Sequence, residues 1–121
     1  MNLTETIAEY LRSNGFPSAT SGVMAAKPDR TAAVFATGVK SKRDEDGSRF
    51  QIIARSEPGQ DTALGDIMAI CELLDDFSGI MSADEDTPFF ARIEIDSGAA
   101  NLGEDDNKRI LYSANFRAWY C

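Results

Sequence analysis

Two strand-like segments joined by an acidic, glycine-punctuated turn close this chain, and they constrain its fold more than any other stretch. Pro88-Phe89-Phe90-Ala91-Arg92-Ile93-Glu94-Ile95-Asp96 reads as a strand, and Ser97 to Lys108 reads as a loop. From Arg109 the pattern resumes. Ile110, Tyr112, Ala114, Phe116 and Ala118 share one face, and Leu111, Ser113, Asn115, Arg117 and Trp119 share the other, the alternation of a half-buried strand. The Phe116 face is expected to meet the core. Trp119 then stands on the opposite face, partly exposed unless a neighbour covers it, and its N–H handle suits a protein interface. This region reads as the edge of a sheet built to meet another protein.

The segments before it supply the covering layer. Leu3, Ile7, Tyr10 and Leu11 lie at helical spacing, with Asn2 or Thr4 as N-cap and Asn14-Gly15 as the stop. Val23-Met24-Ala25 reads as a brief sheet partner, and Pro28-Asp29-Arg30 as turn chemistry. Thr31 to Thr37, ended by Gly38, and Arg49 to Ser56 read as strands. Between them, Lys40, Lys42 and Arg43 precede Asp44, Glu45 and Asp46 in a long charged loop. It is either a solvated hairpin loop or an arm that orders against a neighbour.

Glu57-Pro58-Gly59 breaks the second strand, and Asp61 or Thr62 caps a helix expected from Thr62 to Phe77, about 24 Å long. Ala63, Ile67, Ile70, Cys71, Leu74 and Phe77 form its apolar stripe. Asp84, Glu85 and Asp86 make a second acidic cluster ahead of the strand from Thr87 to Ile95. The expected fold is a single α+β domain over residues 1–121: an antiparallel or mixed sheet of about four strands, two helices packed on it, in the order α-β-β-α-β-β.

Composition narrows the chemistry. The chain has no histidine, which removes the commonest general base and metal ligand together. The serines and threonines therefore have no imidazole to activate them, and an enzyme is not expected. Glu104-Asp105-Asp106-Asn107 offers oxygen ligands without the alternate spacing of a calcium loop. It reads as a solvated acidic turn or an intersubunit contact. No metal or cofactor is expected. Arg109 reads either as a surface arginine at a strand start or as the partner of a carboxylate across a subunit boundary.

A net charge of −8 argues against a non-specific grip on nucleic acid. Cys71 and Cys121 form no disulfide framework, so a reducing compartment is expected. Neither a signal peptide nor a membrane span is visible.

The closing run Leu102-Gly103-Glu104-Asp105-Asp106-Asn107-Lys108-Arg109, with Asn115-Phe116-Arg117 after it, resembles the tail-terminator family of long-tailed bacteriophages, often called minor capsid proteins. The earlier Pro28-Asp29-Arg30 turn, the strand ending in Gly38 and the long helix follow the family's order. The family pattern usually has Gly where Lys108 stands, and often Gly-Pro before the signature, where this chain has Ala99-Ala100-Asn101.

The resemblance implies a structural virion protein, assembled in the bacterial host cytoplasm and placed at the neck end of the tail. It implies a hexameric ring that caps the tail tube, stops its polymerisation and joins it to a head–tail connector protein. Genome DNA would pass through without specific binding. In such a ring, Lys40, Lys42 and Arg43 would meet Asp84, Glu85 and Asp86, or Glu104, Asp105 and Asp106, of the neighbour. The alternatives are another head–tail connector, a small monomeric ligand-binding α+β domain, and a metal-dependent hydrolase built on the Glu104–Asp106 carboxylates.

Overall fold

The computed structural model describes residues 2–38, 47–82 and 87–120. Helix α1 (Leu3–Arg12) opens on Asn2, whose side-chain oxygen accepts the Glu5 N–H at 2.8 Å, so one orphan donor of the first turn is satisfied locally. Leu3, Ile7, Ala8 and Leu11 turn inward. The chain then forms β1 (Thr20–Ser21), β2 (Thr31–Gly38), β3 (Ser48–Arg55), helix α2 (Ala63–Leu74), β4 (Gly79–Ile80), β5 (Phe89–Glu104) and β6 (Ile110–Tyr120). No described helix is long and apolar enough to cross a membrane.

The strands make one mixed sheet in the order β1-β2-β3-β6-β5-β4, with β1 parallel to β2 and every other pair antiparallel. The α+β class is as expected, but the sheet has six strands instead of four. The two extra strands, β1 and β4, are two residues long, too short for any alternation to register in a sequence. The early sheet contact is made by Thr20 and Ser21, not by Val23-Met24-Ala25, and Val23 is exposed.

A larger correction concerns the closing hairpin. Residues 97–104 are not loop: β5 continues to Glu104 and pairs with β6 from Phe90 to Glu104. Glycines and small polar residues hide the strand from a propensity reading. Its ladder shifts register at four places, between Phe90 and Arg92, Ile95 and Ser97, Ser97 and Ala100, and Asn101 and Gly103. Such bulges erase strict alternation while keeping the pairing.

Helix α2 ends at Leu74, earlier than its apolar stripe suggests, because the backbone leaves to pair with β5. The Asp76 N–H donates to the Ile93 carbonyl at 2.8 Å, and the Ile93 N–H donates to the Phe77 carbonyl at 2.9 Å. Asp76 takes a positive φ of 60° to make this exit.

Both helices lie on one face of the sheet, over a single core cluster. Ala63, Ile67, Ile70 and Leu74 of α2 are fully buried, as are Val34, Phe50, Ile52, Ala114 and Phe116 from the strands. The expected Phe116 face is therefore the covered one. The register places Phe50 opposite Phe116, and their rings stack at 5.1 Å with an 11° interplanar angle. Phe116 also sits opposite Ile95, so one rung joins three strands across the middle of the core.

Candidate functional site

The turn between β5 and β6 is closed by one carboxylate. Asp105 Oδ1 accepts the backbone N–H groups of Asn107 at 2.9 Å and Arg109 at 3.0 Å, while its Oδ2 accepts Arg109 Nε–H at 2.8 Å. The Asp105 N–H in turn donates to the Arg109 carbonyl at 3.0 Å. A short acid that bonds to the backbone ahead of it is what an Asx-type turn needs. Gly103, at φ +87°, supplies the left-handed step just before the turn.

Lys108 occupies the other left-handed position of the hairpin, at φ 62°. A side chain there costs about 1 kcal/mol that glycine avoids. Lys108→Gly is therefore expected to raise stability by about 0.5 kcal/mol, since the more flexible unfolded chain returns part of the gain. Equilibrium urea unfolding would read this directly, and a drop in stability would refute a strain at Lys108.

Arg109 does more than close its own turn. Its Nη1 reaches Asp29 Oδ1 at 3.1 Å and the Ala26 carbonyl at 3.3 Å, and its side chain is only 12% exposed. Beside it, Arg55 is 4% exposed and points into the same loop. Arg55 Nε–H donates to the Asp29 carbonyl at 2.7 Å, and its Nη2 donates to the carbonyls of Ala25 at 2.7 Å and Pro28 at 2.9 Å, with Ala26 at 3.3 Å. Two guanidinium forks thus hold the segment from Ala25 to Asp29 against the β5–β6 turn. Planar, multi-donor arginine suits such a junction where a lysine would not.

The charges adjust to one another. Burial, and then the like charge of Arg109, pull the Arg55 guanidinium below its ordinary value, with Asp105 and Asp29 opposing. Burial works the same way on Arg109, but hydrogen bonds and charge from Asp105 and Asp29 outweigh it and hold Arg109 above its ordinary value. Backbone hydrogen bonding from Arg109, ahead of its side-chain contact, holds Asp105 below the usual carboxylate range. Burial pushes Asp29 upward, yet Lys27 and Arg109 together bring it below that range as well.

These depressed carboxylates set an acid limit. Their contribution is fully present above the unfolded value near 3.9 and is lost as pH falls through the lower folded value. With no histidine in the chain, stability is expected to be level from about pH 5 to 8 and to fall below about pH 4. Asp105→Asn should be less stable at neutral pH and should lose less on acidification. Urea midpoints measured across this range would test it; parallel profiles for the two proteins would remove Asp105 as a source of the acid loss.

Apart from Trp119, the sequence-derived interface candidates separate into three groups. Asp105 and Arg109 come together, but with each other and Asp29 inside one chain, so the fork of Arg109 is engaged internally. Glu104 and Asp106 flank them, both exposed at the hairpin tip. Lys40, Lys42, Arg43, Asp84, Glu85 and Asp86 lie outside the described residues. The strand ends that border those two segments, Gly38 and Ser48 on one side and Ile80 and Phe89 on the other, sit at the end of the sheet away from the Asp105 turn.

Trp119 is half-buried on that same distant end, packed over Gly47. A Cβ placed on Gly47 would lie 2.9 Å from Trp119 Cε2, and Gly47 also has a φ of +71°. The close approach and the backbone twist both require glycine there.

Asp29 and Arg55 were absent from the sequence candidates. Asp29 reads as ordinary turn chemistry and Arg55 as the polar end of a strand. Arg55 stands between Ala54 and the polar run that starts at Ser56, so its neighbours carry no signal that sets it apart.

Buried Arg55 and half-buried Arg109 thus grip backbone carbonyls and fix the shape of the Ala25–Asp29 segment and the β5–β6 turn. Residues 10–120 match the family model described as bacteriophage tail terminator protein, so the chain belongs to that family, a group of phage tail structural proteins and virion components. No curated protein and no solved structure matches the chain.

Proposed function

We propose that the chain forms a ring, a hexamer, on the end of the phage tail tube. There it stops tube polymerisation and offers the surface that joins the tail to a head–tail connector protein. Family membership across residues 10–120 is the observation that carries this reading. The fastened hairpin supports it, because a cap must hold its shape against a repeating lattice.

Charge fits the same picture. A net −8 repels the DNA backbone, so genome DNA can slide through a channel without being gripped. Exposed Glu104 and Asp106, and the acidic run Asp84-Glu85-Asp86, are the acidic contacts proposed for a neighbour's Lys40, Lys42 and Arg43. Asp105 and Arg109 support that surface from within, and Trp119 belongs to the opposite end of the sheet. Reversing Lys42 and Arg43 to glutamate is expected to weaken ring formation at least tenfold, as sedimentation would show. An unchanged ring would remove that pairing.

The deciding experiment adds the purified protein to polymerising tail-tube protein from the same genome and images the tube ends. Shorter tubes that end in a ring are the expected result. Tubes that grow to their usual length without an end structure would overturn the terminator reading and turn attention to head-side binding.

A further inference from the structure

A cleft of about 240 Å³ lies at the end of the sheet away from the Asp105 turn, where the start of α1 meets the ends of β2, β3 and β6. Asn2, Leu3, Thr4, Ser48, Arg49 and Tyr120 line it. Ser48 brings a buried donor to this cleft. It alternates onto the covered face with Phe50 and is 3% exposed, and its hydroxyl has no hydrogen-bond partner. A buried hydroxyl without a partner costs free energy, so the cleft is incomplete without an acceptor.

Further donors and positive charge converge there. The N–H groups of Leu3 and Thr4 open α1 and donate to no described residue, as a helix leaves its first donors free. Asn2 caps only the Glu5 N–H. Arg49 alternates to the opposite face, but it borders the cleft, and its stem lies against Gly38, where a Cβ would sit 3.2 Å from Arg49 Cβ. No described carboxylate pairs with Arg49. It stands opposite Arg117 in the β3–β6 ladder, and Asp96 holds Arg117 at 3.1 Å. Glu5, the acid of the first helical turn, pairs with Arg12 at 3.2 Å. A helix start of this kind favours an anion.

We propose that this cleft is a carboxylate socket, and that it takes Glu104 or Asp106 from the hairpin tip of a second copy of this chain. The inference rests on the ring reading above and names one contact that would build it.

Charge complementarity and placement name this occupant. A carboxylate accepts from a hydroxyl, backbone N–H groups and a guanidinium at once. Glu104 and Asp106 are exposed and enter no ion pair among the described residues, whereas Asp105 between them is engaged in its own turn. The tip stands at one end of the sheet and the socket at the other. The two surfaces therefore differ and can be joined head to tail from copy to copy, the kind of contact that closes into a ring. Phosphates of DNA carry the same sign of charge, but a chain of net −8 repels a duplex.

Two measurements test the socket. In the first, acetate is titrated into the full chain, held monomeric by dilution and at constant ionic strength, while the Leu3 and Thr4 amide resonances are followed. A saturable shift of both is expected, at least halved in Arg49→Gln. Amides that stay in place would overturn the socket. In the second, sedimentation reads self-association. Ser48→Ala is expected to raise the melting temperature of the separated copy by about 3 °C, since it removes the orphan hydroxyl. The same variant is expected to weaken self-association about tenfold. A serine with only a structural role would not give these opposite signs. Arg49→Glu is expected to abolish assembly, and adding Glu104→Arg and Asp106→Arg to restore part of it.

Restoration by reversing Asp84, Glu85 and Asp86 instead would overturn the tip as the occupant. Rings that form normally with Ser48→Ala and with Arg49→Glu would overturn the socket contact and leave the ring reading standing. A chain that stays monomeric even with tube protein present would overturn the ring reading and the second-copy occupant together.

Discussion

Arg55→Met is expected to lower stability by about 3 kcal/mol, the scale of losing several hydrogen bonds to a charged donor. Arg55 is 4% exposed, and its guanidinium serves carbonyls of Ala25, Ala26, Pro28 and Asp29. Methionine fills similar volume but gives those oxygens no donor, so they must find water or remain unsatisfied. Arg55→Lys should rescue little, because a single ammonium cannot span acceptors on both arms of the fork. The effect has a local signature. Hydrogen exchange in residues 25–31 and around the β5–β6 turn should accelerate before the core opens, because Arg109 grips the same segment. A loss confined to the urea midpoint, with exchange at these sites unchanged, would mean that Arg55 acts only through general packing.

Phe116→Ala is expected to cost about 4 kcal/mol, in the range for a large aromatic removed from a core. Its ring is fully buried and stacked on Phe50, and it occupies the rung shared by β3, β6 and β5. That cost is a large fraction of the 5–15 kcal/mol that stabilises a typical domain. A variant that folds should therefore melt far lower and bind hydrophobic dye at ordinary temperature. Phe116→Leu, which keeps most of the volume, should recover more than half of the loss. Equal losses for the two substitutions would place the energy in the aromatic stack and not in volume.

The layout was legible where side chains repeat with a strong period. Ile67, Ile70 and Leu74 announce α2, and Ala114, Phe116 and Ala118 announce the covered face of β6; all are buried as their spacing requires. The signal failed where backbone geometry decides. Ser97 to Glu104 is strand because β6 pairs with it, although its glycines, alanines and bulges carry no period. α2 stops at Leu74 because Asp76 and Phe77 bond to Ile93, a contact made across the fold.

The closing signature was visible as a motif, but its internal use was not. Asp105 and Arg109 are four residues apart and meet at 2.8 Å, which local spacing permits. Asp29 joins them from 80 residues away, and only the folded sheet brings it there. Lys108 is the informative exception. The resemblance leads to an expectation of glycine at this position, and the left-handed φ of 62° shows the physical demand that glycine would meet.

The grip of Arg55 and Arg109 on the Ala25–Asp29 segment also bears on the docking proposed for the hairpin tip. A flexible tip must lose conformational freedom when it docks, and that loss subtracts from affinity. Here Asp105, Arg109 and Arg55 have already imposed that order during folding. Glu104 and Asp106 therefore stand on a pre-organised platform. In the proposed ring, loosening the clamp from below would weaken docking at the hairpin tip without altering the Glu104 and Asp106 side chains.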